Sequence, residues 1–414
     1  MTTPALPSLY DLTLPELTAW VEAQGAPAYR ARQIFHALYQ RDVASLEAMT
    51  DLPKGFRDAM AQQFVAATVA SVERQQSEDG TTKWLSSLAD GQFIETVLIP
   101  AERRKTVCVS TQVGCAYACA FCASGQAGFR RNLSAGEIVQ QVLLVQRGLT
   151  TRAPRGGEER GDFAARAGTV SDLGEDERAR ERRANSHAGG IEPDPRPHPQ
   201  AGDPEPRVSN VVFMGMGEPL ANYDQLLKAI RILNHPDGLK IGARKITIST
   251  VGLVPMIERL AKEGLQIELS ISLHAPNDLL RSKLMPVNTK YPLAQLIAAC
   301  RAYAEATKRL LTFEYILIDH VNDGETEARE LAQLLKGLLC KINLIPCHPT
   351  PGTTWARPPL QRMVKFEHLL RRAGVLCTLR RSRGLDIDGA CGQLRLRRLE
   401  APAPRIDGQP SDSV

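Results

Sequence analysis

Long apolar runs are missing from this 414-residue chain, and no uninterrupted stretch approaches the ~18 residues that a membrane-spanning helix needs. Residues 1–25 lack the basic segment followed by an apolar one that marks a secretory leader. A soluble, unexported, cytoplasmic protein without membrane contact is expected. Large apolar side chains are scarce between 151 and 207, where four of them (Phe163, Val170, Leu173, Ile191) face ten arginines and twelve acidic residues. Such a stretch cannot bury enough surface to offset its ordering entropy, so it is predicted to be a disordered insertion, and 401–414 a disordered tail. An even cysteine count is missing too. Nine cysteines in a chain without a leader favour metal ligation or redox chemistry over a disulfide framework.

The net charge is a modest +5, but eleven Lys/Arg and only three acids fall between Arg357 and Arg398. A phosphate-rich partner would suit that stretch; a solvated basic face accounts for it as simply. Residues 1–75 read as a small helical module: Thr13 and Glu16 form a capping box, Gly25 stops the first helix, and 29–40 and 53–64 continue the pattern. Residues 76–104 read as a β-hairpin extension, with 84–88 and 92–99 joined by Asp90-Gly91. From 105 to 400 short β-rich runs (106–111, 209–214, 245–250, 266–273, 311–318, 341–346) alternate with amphipathic ones (134–147, 222–233, 254–263, 293–307, 325–338, 359–372). Six strand–helix units predict an α/β fold, a partial (β/α)6 barrel of parallel strands with right-handed crossovers. Chemistry in such barrels sits where the strands end.

The sharpest motif, Cys115-Ala-Tyr-Ala-Cys119-Ala-Phe-Cys122, follows the first of these strands. Three thiolates can hold three irons of a [4Fe-4S] cube and leave the fourth open to a small ligand. Structural zinc would want a fourth protein ligand, and no Cys or His pair with finger-like spacing stands nearby. Inert buried cysteines are the remaining alternative, which three within eight residues disfavours. The Cys-x3-Cys-x2-Cys loop, with aromatic Phe121 before its last cysteine, resembles the signature of the radical S-adenosylmethionine (SAM) superfamily. The resemblance implies that SAM chelates the open iron through its amino and carboxylate groups, and that an electron from the cluster cleaves it to a 5′-deoxyadenosyl radical.

Other strand ends carry residues suited to that ligand. In Gly215-Met216-Gly217-Glu218-Pro219 the glycines permit close backbone approach and Glu218 offers a carboxylate to an ammonium group, although a plain turn explains the glycines equally. Ser249, Ser272-Leu273-His274 and Asn343 end the third, fourth and sixth strands. Singly, each is more simply a local hydrogen-bonding residue; their shared place on one rim makes them a candidate SAM shell.

Taken with 108–115, 272–277, 341–346 and 389–394, these motifs resemble the RlmN-type adenine-C2 methyltransferases over most of the chain outside the insertion, which is longer than that family leads one to expect. The resemblance implies methylation of C2 of one adenosine in 23S rRNA and of the adenosine 3′ of the anticodon in tRNA, with two SAM molecules per turnover. Cys391 would take a methyl group from the first SAM. A radical formed on that methyl group would add to C2, which as an electron-poor amidine carbon cannot attack a sulfonium itself. Loss of the C2 proton and a transient Cys108–Cys391 disulfide would release the RNA. Cys108 and Glu95 are both candidate proton acceptors; for Glu95 an exposed strand carboxylate is the bland alternative. The resemblance further implies a flavodoxin-like electron donor and a monomer. Cys300, Cys340, Cys347 and Cys377 sit in apolar contexts and read as structural. Two rivals stand beside this reading: an adenine-C8 methyltransferase of the same superfamily, and a noncatalytic RNA-binding metal protein that would need neither Cys391 nor Cys108.

Overall fold

The computed structural model describes residues 6–43, 45–150, 207–348, 354–380, 384, 386–387 and 392–400. The expected insertion, apart from Arg207, and the tail 401–414 lie outside the described residues.

Three helices open the chain: α1 (Leu14–Ala23), α2 (Tyr29–Tyr39) and α3 (Lys54–Gln63). Glu16 reaches back to the Thr13 amide at 2.8 Å, closing the capping box, and Gly25 follows α1 at φ 72°. Leu17, Val21, Ile34, Phe35 and Leu38 form the module's apolar centre, and Trp20 packs on Phe56 and Phe64. The helices are held to the rest of the protein by specific polar contacts. Asp11 accepts from the Gly136 amide at 2.7 Å, and Asp42 takes two hydrogen bonds from Arg147 at 2.7 and 2.6 Å.

A ten-stranded sheet follows. Its antiparallel part is β1 (Val69–Gln76), β2 (Thr82–Leu88), β3 (Phe93–Ala101) and β4 (Arg104–Cys108). The hairpin turns at Gly91, which has φ 75°. Strand β1 occupies residues that sequence pattern assigned mostly to the helical module. It is a largely exposed edge strand without apolar alternation, and its pairing with β2 is what makes it a strand.

Between the sheet's two parts come β5 (Gln112–Val113), α4 (Ala123–Gln126), β6 (Arg131–Asn132) and α5 (Ala135–Thr150). The chain then alternates β7 (Asn210–Phe213), α6 (Tyr223–Asn234), β8 (Ile246–Thr250), α7 (Val254–Leu260), β9 (Glu268–Ser272), α8 (Asp278–Leu284), α9 (Leu293–Thr307), β10 (Leu311–Leu317), α10 (Glu325–Leu334), β11 (Cys340–Pro346), α11 (Leu360–Arg372), β12 (Cys377–Leu379) and α12 (Gln393–Glu400). Strands β4, β7, β8, β9, β10, β11 and β12 pair in that order, all parallel. All six expected barrel strands are present, and the three-residue β12, too short to show a period, adds a seventh. Continuous burial along β10 reflects apolar neighbours on both faces, as parallel sheets require.

The basic stretch is less free than its composition suggests. Arg362 is paired with Asp319 and Asp323, Lys365 with Glu325 and Arg371 with Glu367, while Arg395 is buried. Four of its eleven cations are thus paired or buried within the protein; Arg381 and Arg383 lie outside the described residues.

Candidate active site

A cavity of about 420 Å³ lies at the C-terminal ends of the parallel strands. Cys115, Cys119 and Cys122 line it together with Cys108, Gly217, Glu218, Ser249, Ser272 and His274. Leu273 does not: alternation along the chain turns its side chain into the core, and its amide donates to the Glu314 carbonyl at 3.0 Å. Asn343 is also absent from the wall, but its Nδ2 donates at 2.8 Å to Oε2 of Glu314, which lines it.

The cysteine loop is tightly folded. Gly114 has φ 79°, and a Cβ there would sit 1.7 Å from the Gly128 carbonyl oxygen, which accepts the Cys115 amide at 3.2 Å. The Ala120 amide donates to the Leu284 carbonyl at 2.9 Å, tying the loop to the end of α8. Among the described residues no three His, Cys, Asp or Glu side chains converge closely enough to hold a single metal ion. A cube takes one thiolate on each of three irons, and in the same wall the buried hydroxyls of Thr81 and Ser124 have no partner. Three thiolates facing one cavity fit three irons of a [4Fe-4S] cluster. Burial pushes the Cys115 thiol up to about 12 and raises Cys119 as well, so iron has to displace those protons when it binds.

Glu218 caps the short helical turn Pro219–Asn222. Its Oε1 accepts from the Leu220 amide at 3.0 Å and its Oε2 from the Val251 amide at 2.8 Å, which joins the ends of β7 and β8. Burial pushes it up to about 7, and no cation pairs with it among the described residues. Gly217 has φ 100° and a Cβ there would lie 2.5 Å from that of Gln112, so the turn admits only glycine. His274, at φ 60°, accepts from the Ile316 amide on Nδ1 at 3.0 Å, leaving Nε2 to carry the proton. Its ring stands edge-on to Phe121 at 4.7 Å, and burial, with the Arg281 charge nearby, pulls it down to about 3.

Glu95 is 1 % exposed, which rules out the exposed strand carboxylate considered for it. Lys83 Nζ lies 2.9 Å from its Oε2, and both side chains are fully buried. Cys391 lies outside the described residues. The other cysteines read as structural are buried at 300, 347 and 377 and half-buried at 340. Sequence reasoning missed Glu314 and Arg281. Glu314 was visible as one acid in the apolar run 311–318. Arg281 donates to the carbonyls of Val251, Ser272 and Leu273 at 2.7, 3.1 and 3.2 Å, a role that no local pattern marks.

Known proteins share the family and the fold. Residues 201–332 match the radical SAM superfamily, and residues 8–66 match the ribosomal RNA large subunit methyltransferase N-terminal domain. A probable dual-specificity RNA methyltransferase RlmN of Geobacillus kaustophilus is 44% identical over 96% of this chain and 94% of its own length. The dual-specificity RNA methyltransferase RlmN of Syntrophobacter fumaroxidans is 41% identical over 93% of this chain and 96% of its own. The crystal structure of a radical SAM methyltransferase from Sphaerobacter thermophilus superimposes with a TM-score of 0.77 at 45% identity, covering 94% of this chain and 98% of the other. The chain therefore belongs to the RlmN family of dual-specificity RNA methyltransferases, enzymes of the radical SAM superfamily.

Proposed function

We propose that this enzyme methylates C2 of an adenosine in 23S rRNA and of the adenosine 3′ of the anticodon in tRNA, through a methyl group carried on Cys391. One observation supports the reading above the rest: Cys108 lines the same cavity as Cys115, Cys119 and Cys122. A mechanism that ends in a Cys108–Cys391 disulfide needs that thiol beside the place where SAM is cleaved. When bound by the three cysteines, the cluster supplies the electron that cleaves SAM.

The chain's own residues do the rest. Glu218 receives the SAM ammonium group, and Gly217 lets the backbone approach it. Ser249, Ser272 and the neutral Nε2–H of His274 offer hydrogen bonds along the same rim, while Asn343 and the Leu273 backbone hold that rim through Glu314. Cys391 takes a methyl group from one SAM by displacement. A second SAM is consumed in removing hydrogen from that methyl group, and the carbon so activated bonds to C2. Cys108, the better placed of the two candidate acceptors, takes the C2 proton. The Sγ–Sγ bond it then forms with Cys391 breaks the bond between Cys391 and the transferred carbon, that carbon takes a proton to complete the methyl group, and the one surplus electron would pass to the oxidised cluster held by Cys115, Cys119 and Cys122, freeing the RNA. A flavodoxin-like donor, a monomeric enzyme and a cytoplasmic location complete the proposal; no helix among the described residues is long and apolar enough to cross a membrane. The helical module would serve RNA binding and residues 105–400 the chemistry.

Mass spectrometry of digested rRNA and tRNA from cells with and without the gene tests this. Loss of 2-methyladenosine from both is expected. Loss of 8-methyladenosine instead would move the reaction to the other ring carbon, and no change in either would remove the proposal.

A further inference from the structure

Two registers place Glu95 on the cavity side of the antiparallel strands. Lys83 on β2 pairs with Val97 on β3, and Val97 pairs with Cys108 on β4. Val97 and Cys108 both line the cavity, and Glu95, two residues before Val97, shares its face. The Glu95 carboxylate accepts three hydrogen bonds there. Oε2 accepts from Lys83 Nζ at 2.9 Å and from the Gly392 amide at 2.8 Å, and Oε1 accepts from the Arg395 amide at 2.8 Å. Those two amides open α12, and the Gly392 nitrogen is the one bonded to the Cys391 carbonyl carbon. From the other side, Gly392 is pressed against the cluster loop: it has φ 86°, and a Cβ would fall 2.7 Å from Ser124 Oγ and 2.9 Å from the Ser124 amide.

A carboxylate that already accepts from an ammonium group and two amides is badly placed to take a proton from substrate, and well placed to hold a chain segment. Resting on the methyl-carrier reading above, we infer that Glu95 and Lys83 are a positioning pair: they clamp the first turn after Cys391 to the wall that carries Cys108, and Glu95 is not the proton acceptor. The strand that bears the clamp is itself pinned. Ser110 Oγ donates to the Glu95 carbonyl at 2.7 Å and accepts from the Met216 amide at 3.1 Å, so the clamp is continuous with the Gly-Met-Gly-Glu turn.

The test is Glu95→Gln, Lys83→Met and the double variant in the cluster-loaded enzyme, each read three ways. Amide hydrogen exchange over 392–396 reads the clamp itself. Loss of one net hydrogen bond to a charged group should speed exchange about tenfold or more in both single variants. Mass spectrometry of the protein without RNA reads S-methylation of Cys391, and gel analysis with RNA reads the covalent enzyme–RNA adduct. A clamp predicts that Cys391 methylation and RNA methylation fall together, with no adduct, and that the double variant is no worse than the poorer single one because the pair acts as a unit. Normal Cys391 methylation with accumulating adduct in Glu95→Gln would make Glu95 the proton acceptor and overturn the inference. Unchanged exchange would overturn it as well. Faster exchange with no Cys391 methylation in the wild type would instead sink the methyl-carrier reading and leave the clamp standing.

Discussion

Two walls of one cavity bury a carboxylate almost equally, Glu95 at 1 % exposure and Glu218 at 2 %, and treat it in opposite ways. On the antiparallel wall Glu95 has an ammonium partner 2.9 Å away and gives its remaining capacity to the protein's own amides. On the rim of the parallel strands Glu218 accepts two amides and meets no cation among the described residues, so burial pushes it up to about 7. Burial alone therefore does not mark a ligand site. A missing counter-charge does, because only a bound cation returns what desolvation costs the carboxylate.

The comparison breaks most visibly if Lys83 is removed. Lys83→Met leaves Glu95 uncompensated where both side chains are fully buried, and removing one partner of such a pair costs about 3–5 kcal/mol. Urea unfolding of the cluster-free protein should show a loss of that size; a loss near zero would mean that the antiparallel wall opens to water and that the two walls do not differ. Glu218→Gln should behave the other way round. The amide oxygen can keep one backbone hydrogen bond, so stability changes little. SAM affinity, measured by equilibrium dialysis, should weaken about ten- to a hundredfold, the worth of a charge-assisted hydrogen bond of roughly 1.5–3 kcal/mol. Unaltered affinity would remove Glu218 from the ligand shell.

His274 sharpens the contrast by pH. Its pKa falls from the ordinary 6.5 to about 3 in the fold, so between those values the unfolded chain binds the extra proton. Stability from this residue is full above pH 6.5 and is lost as pH falls, at up to about 1.4 kcal/mol per unit. His274→Gln, which keeps a side-chain donor without a titrating group, should flatten the acid limb of apo-protein stability between pH 6 and about 4, close to the 6.5 at which His ordinarily titrates. An acid limb that stays as steep would assign it to other groups.

Legibility in the sequence followed the range of the forces involved. The six barrel strands were readable because each buries its own apolar run, and the cysteine loop because ligand spacing is local. The capping box of α1 and the hairpin turn at Gly91 were readable for the same reason. Strand β1 was not: nothing in its polar sequence asks for a strand, and only its partner supplies one. Lys83 with Glu95, and Arg281 with three carbonyls from two strand ends, depend on register and on contacts between distant segments. Pattern reading could name Glu95 only by resemblance, and it offered the wrong bland alternative because an isolated acid in a strand is usually exposed.

The smallest effect is expected where composition looked most suggestive. Lys365 stands in the basic stretch, yet its Nζ lies 2.6 Å from Glu325 Oε1, and Glu325 is also held by Arg329 at 2.9 Å. A lysine already answered by a carboxylate releases no counterion from RNA unless it first leaves that partner. Lys365→Ala should therefore leave RNA affinity within about twofold of the wild type. It should also leave unchanged the slope of log affinity against log salt, to which each neutralised phosphate of a single strand contributes about 0.7. A slope shallower by that amount in Lys365→Ala would show that RNA competes the side chain away from Glu325. The surface pair would then resemble Glu218, awaiting a charged ligand, more than Glu95, whose partner is built into the fold.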